Sequence, residues 1–309
     1  MGGMLDGRVA VVSGAGRGIG REHALGLAAA GARVVVNDLG GDAAGTGADL
    51  TPAQEVVKEI EAAGGEATVN GANVADFGAA KELIDQAVDT YGGLDFVINN
   101  AGILRDRMVF SMSEEDWDSV INVHLKGTFA PTHHASVYWR ARAKAGETND
   151  ARIINTSSPS GIYGNVGQTN YGAAKAGIAS FTQIAAMEVA KYGVTVNCIA
   201  PGAVTRLTEN LMGGELSDEQ REAMSPRWIA NVAVWLCGPD AANVTGRVFD
   251  VRGQQVAVAE GWHIGESATQ SEEAVDLTSA MTQILSQARL NADMSGKEAE
   301  GPGRPSHQL

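Results

Sequence analysis

Cysteine is nearly absent from this chain of 309 residues: only Cys198 and Cys237 occur. Two thiols so far apart give neither a disulfide framework nor the paired spacing of a zinc site, so no metal is expected. Proline is also scarce, at 8 residues against 39 glycines, a balance that favours many tight strand–helix turns over disorder. Basic residues are in deficit, with 23 Lys and Arg against 37 Asp and Glu and a net charge of −14. That excess of acid argues against a nucleic-acid-binding surface. No apolar run approaches the roughly 20 residues of a membrane span, so no membrane partner is expected. Residues 1–7 lack the basic start and apolar core of a secretion signal. The expectation is a soluble, reduced, cytoplasmic protein long enough for one large α/β domain.

What is present alternates. Strand-like runs at 8–13, 33–37, 66–70, 94–99, 152–157, 194–199 and 248–251 are separated by helical stretches at 21–30, 52–63, 76–91, 114–144 and from Tyr171 to Tyr192. The second strand, RVVVN, is almost unbroken valine, as expected where helices cover both faces. Seven strands alternating with helices predict a doubly wound parallel sheet of Rossmann type. This pattern stops near Gly265, which sets a domain at 1–265 and a C-terminal extension at 266–309. Within the extension, 269–290 reads as an amphipathic helix, with Thr269 and Glu272 at capping-box spacing. The remainder, 293–309, is rich in Gly, Pro and charge and is expected to be disordered.

Between the first strand and first helix lies Gly14-Ala-Gly-Arg17-Gly18-Ile19-Gly20. Glycines there let a pyrophosphate approach the backbone, and the helix start offers free N–H groups. Asp38 follows at the tip of the second strand, where a carboxylate can accept from both ribose hydroxyls and repel a 2′-phosphate. The predicted cofactor is therefore NAD. Arg17 points the other way, but Asp38 is the more direct determinant.

Tyr171 and Lys175 are four residues apart at the start of a helix, so phenol and ammonium share a face. Ser158 lies thirteen residues upstream, at the end of a strand. A cation near a phenol favours phenolate and would lower its pKa from ~10 towards a useful general base, while the serine holds a carbonyl or alcohol oxygen. Tyr-x-x-x-Lys alone is weak evidence; beside a dinucleotide site it carries weight.

Gly14-x-x-x-Gly18-x-Gly20, Asn99-Asn-Ala-Gly102, Ser158, Tyr171-x-x-x-Lys175 and Pro201-Gly202, in that order, resemble the short-chain dehydrogenase/reductase family across about residues 5–255. NNAGILRDR, SEEDWD, VHLKG and SGIYGNVGQTNY further resemble its (3R)-hydroxyacyl-CoA dehydrogenase branch, found as a domain of peroxisomal multifunctional enzymes and in single-domain bacterial relatives. The resemblance implies Tyr171 as general acid/base, Lys175 on the nicotinamide ribose, and Ser158 orienting the substrate. It places Asn99, Ala101 and Gly102 along the adenosine ribose, Asn73 and Val74 at the adenine, and Pro201, Gly202 and Val204 beside the nicotinamide. Thr205 would lie near the carboxamide, although Arg206 occupies the position where a threonine is usual. His124 stands where a helix asparagine completes a catalytic tetrad. Two roles are open to it: a water relay to Lys175, or support of a helix kink.

Expected pocket walls are Ile103, Leu104, Ile162, Tyr163, Val166 and Gln168, with 207–228 as a lid. The implied substrate is a (3R)-hydroxyacyl-CoA, its phosphates met by Arg105 and Arg107 or by Arg140, Arg142 and Lys144. A free 17β-hydroxysteroid, a 3-oxoacyl reductase direction, and a non-catalytic dinucleotide-binding protein are the alternatives. The resemblance also implies a homodimer or homotetramer through helices 114–144 and 171–192.

Overall fold

The computed structural model describes residues 3–204, 216–269 and 277–299. The strands are β1 (Val9–Ser13), β2 (Arg33–Asn37), β3 (Ala67–Asn70), β4 (Phe96–Asn99), β5 (Ala151–Thr156), β6 (Val194–Gly202), β7 (Val248–Arg252) and β8 (Gln255–Ala259). They form one sheet in the order β3-β2-β1-β4-β5-β6-β7-β8, parallel except for β8. The helices are α1 (Gly18–Ala29), α2 (Thr51–Ala62), α3 (Phe77–Tyr91), α4 (Glu114–Ile121), α5 (Gly127–Lys144), α6 (Pro159–Tyr163), α7 (Thr169–Val189), α8 (Asp218–Ala223), α9 (Arg227–Cys237) and α10 (Leu277–Gln287).

Strand periodicity builds two cores, one on each face of the sheet. Ala10 and Val12 of β1, with Val34 and Val36 of β2, pack on Leu27 of α1 and on Ile229 and Leu236 of α9. Val9, Val11 and Val35 face the other way, onto Leu83 and Ile84 of α3, Trp139 of α5 and Val189 of α7. Burial on both faces explains why these strands read as continuous apolar runs.

The structure corrects the sequence in four places. The sheet has eight strands instead of seven: Gly253, at φ 52°, and Gln254 form a two-residue turn that folds β8 back antiparallel on β7. The helix expected at 114–144 is interrupted by a π-helical turn, Asn122–Lys126, which separates α4 from α5. Helices α8 and α9 take up most of 218–228, the later half of the stretch read as a lid, while 207–215 lies outside the described residues. Finally, residues 293–299 hold a turn closed by Asp293 N–H donating to the Lys297 carbonyl at 2.8 Å. Glu272 and 300–309 lie outside the described residues. No helix among the described residues is long and apolar enough to cross a membrane.

His23 sits on α1 at 1% exposure, its Nδ1 without a hydrogen-bond partner. Burial lowers its pKa from 6.5 to about 4. Between those values the unfolded chain binds a proton that the folded chain does not, so stability falls on acidification. From pH 7 to pH 5 this one group should remove about 2 kcal/mol. His23→Leu should lose correspondingly less over that interval in urea unfolding; equal losses in both proteins would refute the assignment.

Candidate active site

The C-terminal ends of β1 and β4 are stitched together. Asn100 donates through Nδ2 to the carbonyls of Ser13 (3.2 Å) and Gly14 (3.1 Å). The Ser13 hydroxyl accepts the N–H groups of Asn100 (3.0 Å) and Ala101 (3.3 Å). This seam brings the glycine loop so close that a Cβ on Gly14 would lie 2.7 Å from the Ala101 Cα, and one on Gly20 would strike the Gly14 carbonyl. Arg17, at the N-cap of α1, supplies no side-chain cap, and the first turn contains no acid. The N–H groups there remain available to an anion. At the tip of β2, Asp38 accepts from Gly16 N–H (2.7 Å) and Gly40 N–H (2.6 Å), which holds its carboxylate at the loop with lone pairs to spare. A glycine cradle, an uncapped helix start and a fixed carboxylate fit a nicotinamide dinucleotide. Ile19 is half-buried behind the loop, and Arg17 is exposed.

β5 ends just before Ser158, which caps α6 by accepting the Ser160 N–H at 3.1 Å. Across from it, α7 presents Tyr171, half-buried and near enough to Ser158 for that hydroxyl to act on its phenol, with buried Lys175 one turn on. Lys175 donates to the Thr156 carbonyl at 2.6 Å, and its Nζ lies 5.5 Å from the Tyr171 ring centroid. All three groups predicted for chemistry therefore meet at one place.

Their electrostatics differ from the sequence expectation. Burial pushes the Tyr171 phenol up to about 12; the Ser158 hydroxyl pulls it down, and the nearby Asp106 carboxylate raises it further. Burial also brings Lys175 down to about 8. Desolvation is the largest cause for both groups.

His124 lies in the π-helical turn, 3% exposed, with its ring edge-on to Tyr171 at 5.1 Å. Its Nε2 lies 2.8 Å from the Ile103 carbonyl and 3.1 Å from the Ile103 N–H. The shorter contact assigns Nε2–H as donor to the carbonyl, which leaves Nδ1 an acceptor with no partner. Burial and the Lys175 charge hold its pKa well below 6.5, so the ring stays neutral. Gly102 is required beside it, since a Cβ there would strike the ring.

Other expected residues fall in different settings. Asn99 turns its side chain into the core, donating to Thr132 Oγ1 (3.0 Å) and Asn155 Oδ1 (2.9 Å), so only its backbone borders the crevice. Exposed Asn73 accepts the Ala75 N–H, and Val74 is buried beside it. Pro201 and Gly202 end β6, and Val204 N–H donates to the Met224 carbonyl at 2.9 Å. Thr205, Arg206 and 207–215 lie outside the described residues. Arg105 is committed to Glu115 (2.8 Å) and to the Ala44 carbonyl (3.2 Å), and Arg142 to Glu147 (2.9 Å). Sequence reasoning passed over Asp106, held by Gln168 Nε2 at 2.8 Å, and Asn100, whose role shows only in the seam. No cluster of metal-ligating side chains occurs among the described residues.

This site, on this sheet, defines a dinucleotide-dependent oxidoreductase acting on CH–OH groups. The chain belongs to the short chain dehydrogenase family, whose profile matches residues 8–215. It is 45% identical over 268 residues to the hydroxyacyl-CoA dehydrogenase ChsB1 of Mycobacterium tuberculosis, covering 84% of this chain and 82% of that one. It is also 45% identical to peroxisomal multifunctional enzyme type 2 of Mus musculus, matching 80% of this chain but only 32% of that longer protein. The 3-oxoacyl-[acyl-carrier-protein] reductase of Synechocystis is 42% identical, with 82% of this chain and 98% of that protein matched. Among solved structures, a short chain dehydrogenase from Mycobacterium avium superposes with TM-score 0.84 at 49% identity, covering 94% of this chain and 99% of that one.

His124→Asn separates the two roles of that residue. If Nδ1 holds a relay water, turnover should fall about tenfold or more with near-UV circular dichroism unchanged. Undiminished turnover would sink the relay and leave His124 as a support of the π-helical turn.

Proposed function

We propose that this chain is an NAD-dependent dehydrogenase that interconverts a (3R)-hydroxyacyl-CoA and its 3-oxoacyl-CoA. The observation that carries the reading is the meeting of Ser158, Tyr171 and Lys175 above a glycine cradle with Asp38 at its edge. The acyl-CoA substrate class rests on likeness to ChsB1 and the multifunctional enzymes.

The Ser158 hydroxyl accepts one N–H and keeps its own proton, so it can donate to the substrate oxygen while remaining against the Tyr171 phenol. In reduction the neutral Tyr171 phenol gives its proton to the carbinol oxygen; in oxidation it takes the hydroxyl proton as phenolate, once its own proton has left to solvent. A bound NAD supplies the acceptor for the hydride that leaves the carbinol carbon. Lys175, anchored on Thr156 between strand and helix, fixes the distance of its ammonium from the phenol and offers its remaining protons to a ribose or a relay water. Asp38 selects NAD because a 2′-phosphate would meet its carboxylate.

Oxidation releases a proton, so its equilibrium should move towards ketone as pH rises. A second reading, the same chemistry run as a 3-oxoacyl reductase, draws support from the Synechocystis relative. One assay distinguishes these: absorbance at 340 nm with NAD or NADP, against (3R)- and (3S)-hydroxyacyl-CoA, a free 17β-hydroxysteroid and a 3-oxoacyl thioester. NADH formation selective for the (3R) thioester is expected, and Tyr171→Phe should reduce it about 10²- to 10⁴-fold. Activity with NADP alone would overturn the role of Asp38, and full activity of Tyr171→Phe would overturn the mechanism.

We further infer a homodimer or homotetramer. Phe129 and Val137 on α5, and Ile184 and Met187 on α7, are large apolar residues left exposed on helices otherwise packed on the sheet. Light scattering should give a multiple of 32.0 kDa. A Met187→Asp protein of unchanged mass would reject α7 as the contact.

A further inference from the structure

The sequence assigns no role to the C-terminal extension, and the family profile ends at residue 215. The structure nonetheless returns part of that extension to the candidate site. Asp250 on β7 is 7% exposed and receives three donors. Tyr163 Oη reaches its Oδ2 at 2.8 Å, and Arg252 forks onto it through Nε (2.8 Å) and Nη2 (2.7 Å). The remaining guanidinium nitrogen, Nη1, donates to the Met294 carbonyl at 2.6 Å. Arg252 also lies 5.7 Å from the Tyr163 ring centroid, and its Cγ would be 3.2 Å from a Cβ on Gly202. One side chain thus touches the helix that follows Ser158, the end of β6 and the C-terminal turn.

The turn is built to fit there. The Asp293 carboxylate accepts the Ser295 N–H (2.7 Å) and hydroxyl (2.6 Å), and Gly296 N–H closes on the Asp293 carbonyl at 2.9 Å. Gly296 has φ 81°, and a Cβ there would lie 3.4 Å from the Tyr163 hydroxyl oxygen and 3.5 Å from Cζ. Glycine adopts that backbone without strain, and its hydrogen leaves the turn in close contact with the ring, which a branched side chain would push away. Arginine suits the fastening, because a planar fork can hold a carboxylate with one edge and a carbonyl with its remaining N–H; a lysine ammonium lacks that geometry. Burial and the Asp250 carboxylate push the Tyr163 phenol up to about 12, so the hydroxyl remains a donor across the working pH range.

We propose that Arg252 is a positioning residue that fastens the turn at residues 292–298 against Tyr163, and that this turn forms the outer wall limiting the acyl group the pocket admits. Its selectivity part rests on the acyl-CoA reading given above; its fastening part does not. Tyr163 follows Ser158 by five residues and ends α6, the helix that Ser158 caps, so a turn held on Tyr163 packs against the element that carries Ser158. With the turn docked, bulky acyl ends meet Tyr163 and Gly296. With it released, that side opens to solvent.

Gly296→Val releases the turn from the surface without touching the catalytic groups, and Arg252→Lys removes the fork while keeping the charge beside Asp250. In the full-length protein, hydrogen exchange at 294–299 and across α6 should quicken at least about tenfold in both variants. In kinetics with short-chain, long-chain and ring-bearing (3R)-hydroxyacyl-CoA thioesters, kcat/KM for the bulky substrates relative to the short one should rise at least about tenfold in Gly296→Val. The change should lie in KM, with short-chain kcat within about twofold. An unchanged selectivity ratio in Gly296→Val overturns the wall, and unchanged α6 exchange in both variants overturns the fastening. No turnover of any thioester by the unsubstituted protein would fail the substrate reading, and the exchange experiment would then decide the fastening alone. If Arg252→Lys does not fold, Gly296→Val carries both measurements.

Discussion

Between β1 and β4 the chain changes direction across the sheet. β2 and β3 are laid down on one side of β1, and β4 to β7 on the other. The connections leaving these two central strands diverge, and a crevice opens above their C-terminal ends. The gap must be wide enough for a dinucleotide yet fixed within hydrogen-bonding tolerance. Ser13 and Asn100 achieve that with four bonds across the seam. The glycine loop leans on Ala101, α1 starts from that loop, and Asp38 is tied to it through Gly16. A shift at the seam would therefore move phosphate, ribose and nicotinamide positions together.

The chemical groups share a second constraint, which is dryness. Burial moves Tyr171, Lys175 and His124 each towards its neutral form. At neutral pH the phenol and the imidazole are uncharged, while Lys175, near 8, still carries most of its proton and can give it up at little cost. The Thr156 carbonyl holds Lys175 in place, and the Asp106 carboxylate works against phenolate. Serine and lysine thus act in a setting where desolvation, rather than simple proximity of unlike charges, dominates the phenol.

Much of this was legible in the sequence, for identifiable reasons. A strand buried on both faces must be apolar throughout, so RVVVN marked β2 to the residue. Tyr171 and Lys175 could be placed on one face by helical geometry alone. The π-helical turn could not be read, because apolar residues recur at helical spacing on both sides of 122–126. β8 was missed because QVAVA is short, exposed and defined by its partner. The direction of the Tyr171 shift was missed because i, i+4 spacing reveals proximity but not how far the fold withdraws the phenol from water. Asn99 and Asn100 illustrate a similar limit: two identical adjacent side chains face opposite ways, one into the sheet core and one across the seam.

The eighth strand changes the medium around its neighbour. Without β8, β7 would be the rim of the sheet, and Asp250 would stand at a water-washed edge, where an arginine–carboxylate pair contributes little. Asp250 instead faces Ala257 across the β7–β8 ladder and is 7% exposed. An uncharged strand of Val and Ala laid along that edge lowers the local dielectric and strengthens every polar contact the carboxylate makes. By acting as an insulator, a five-residue hairpin arm with no polar contact to the site allows one arginine to bind firmly at the end of the sheet where the chemistry is arranged.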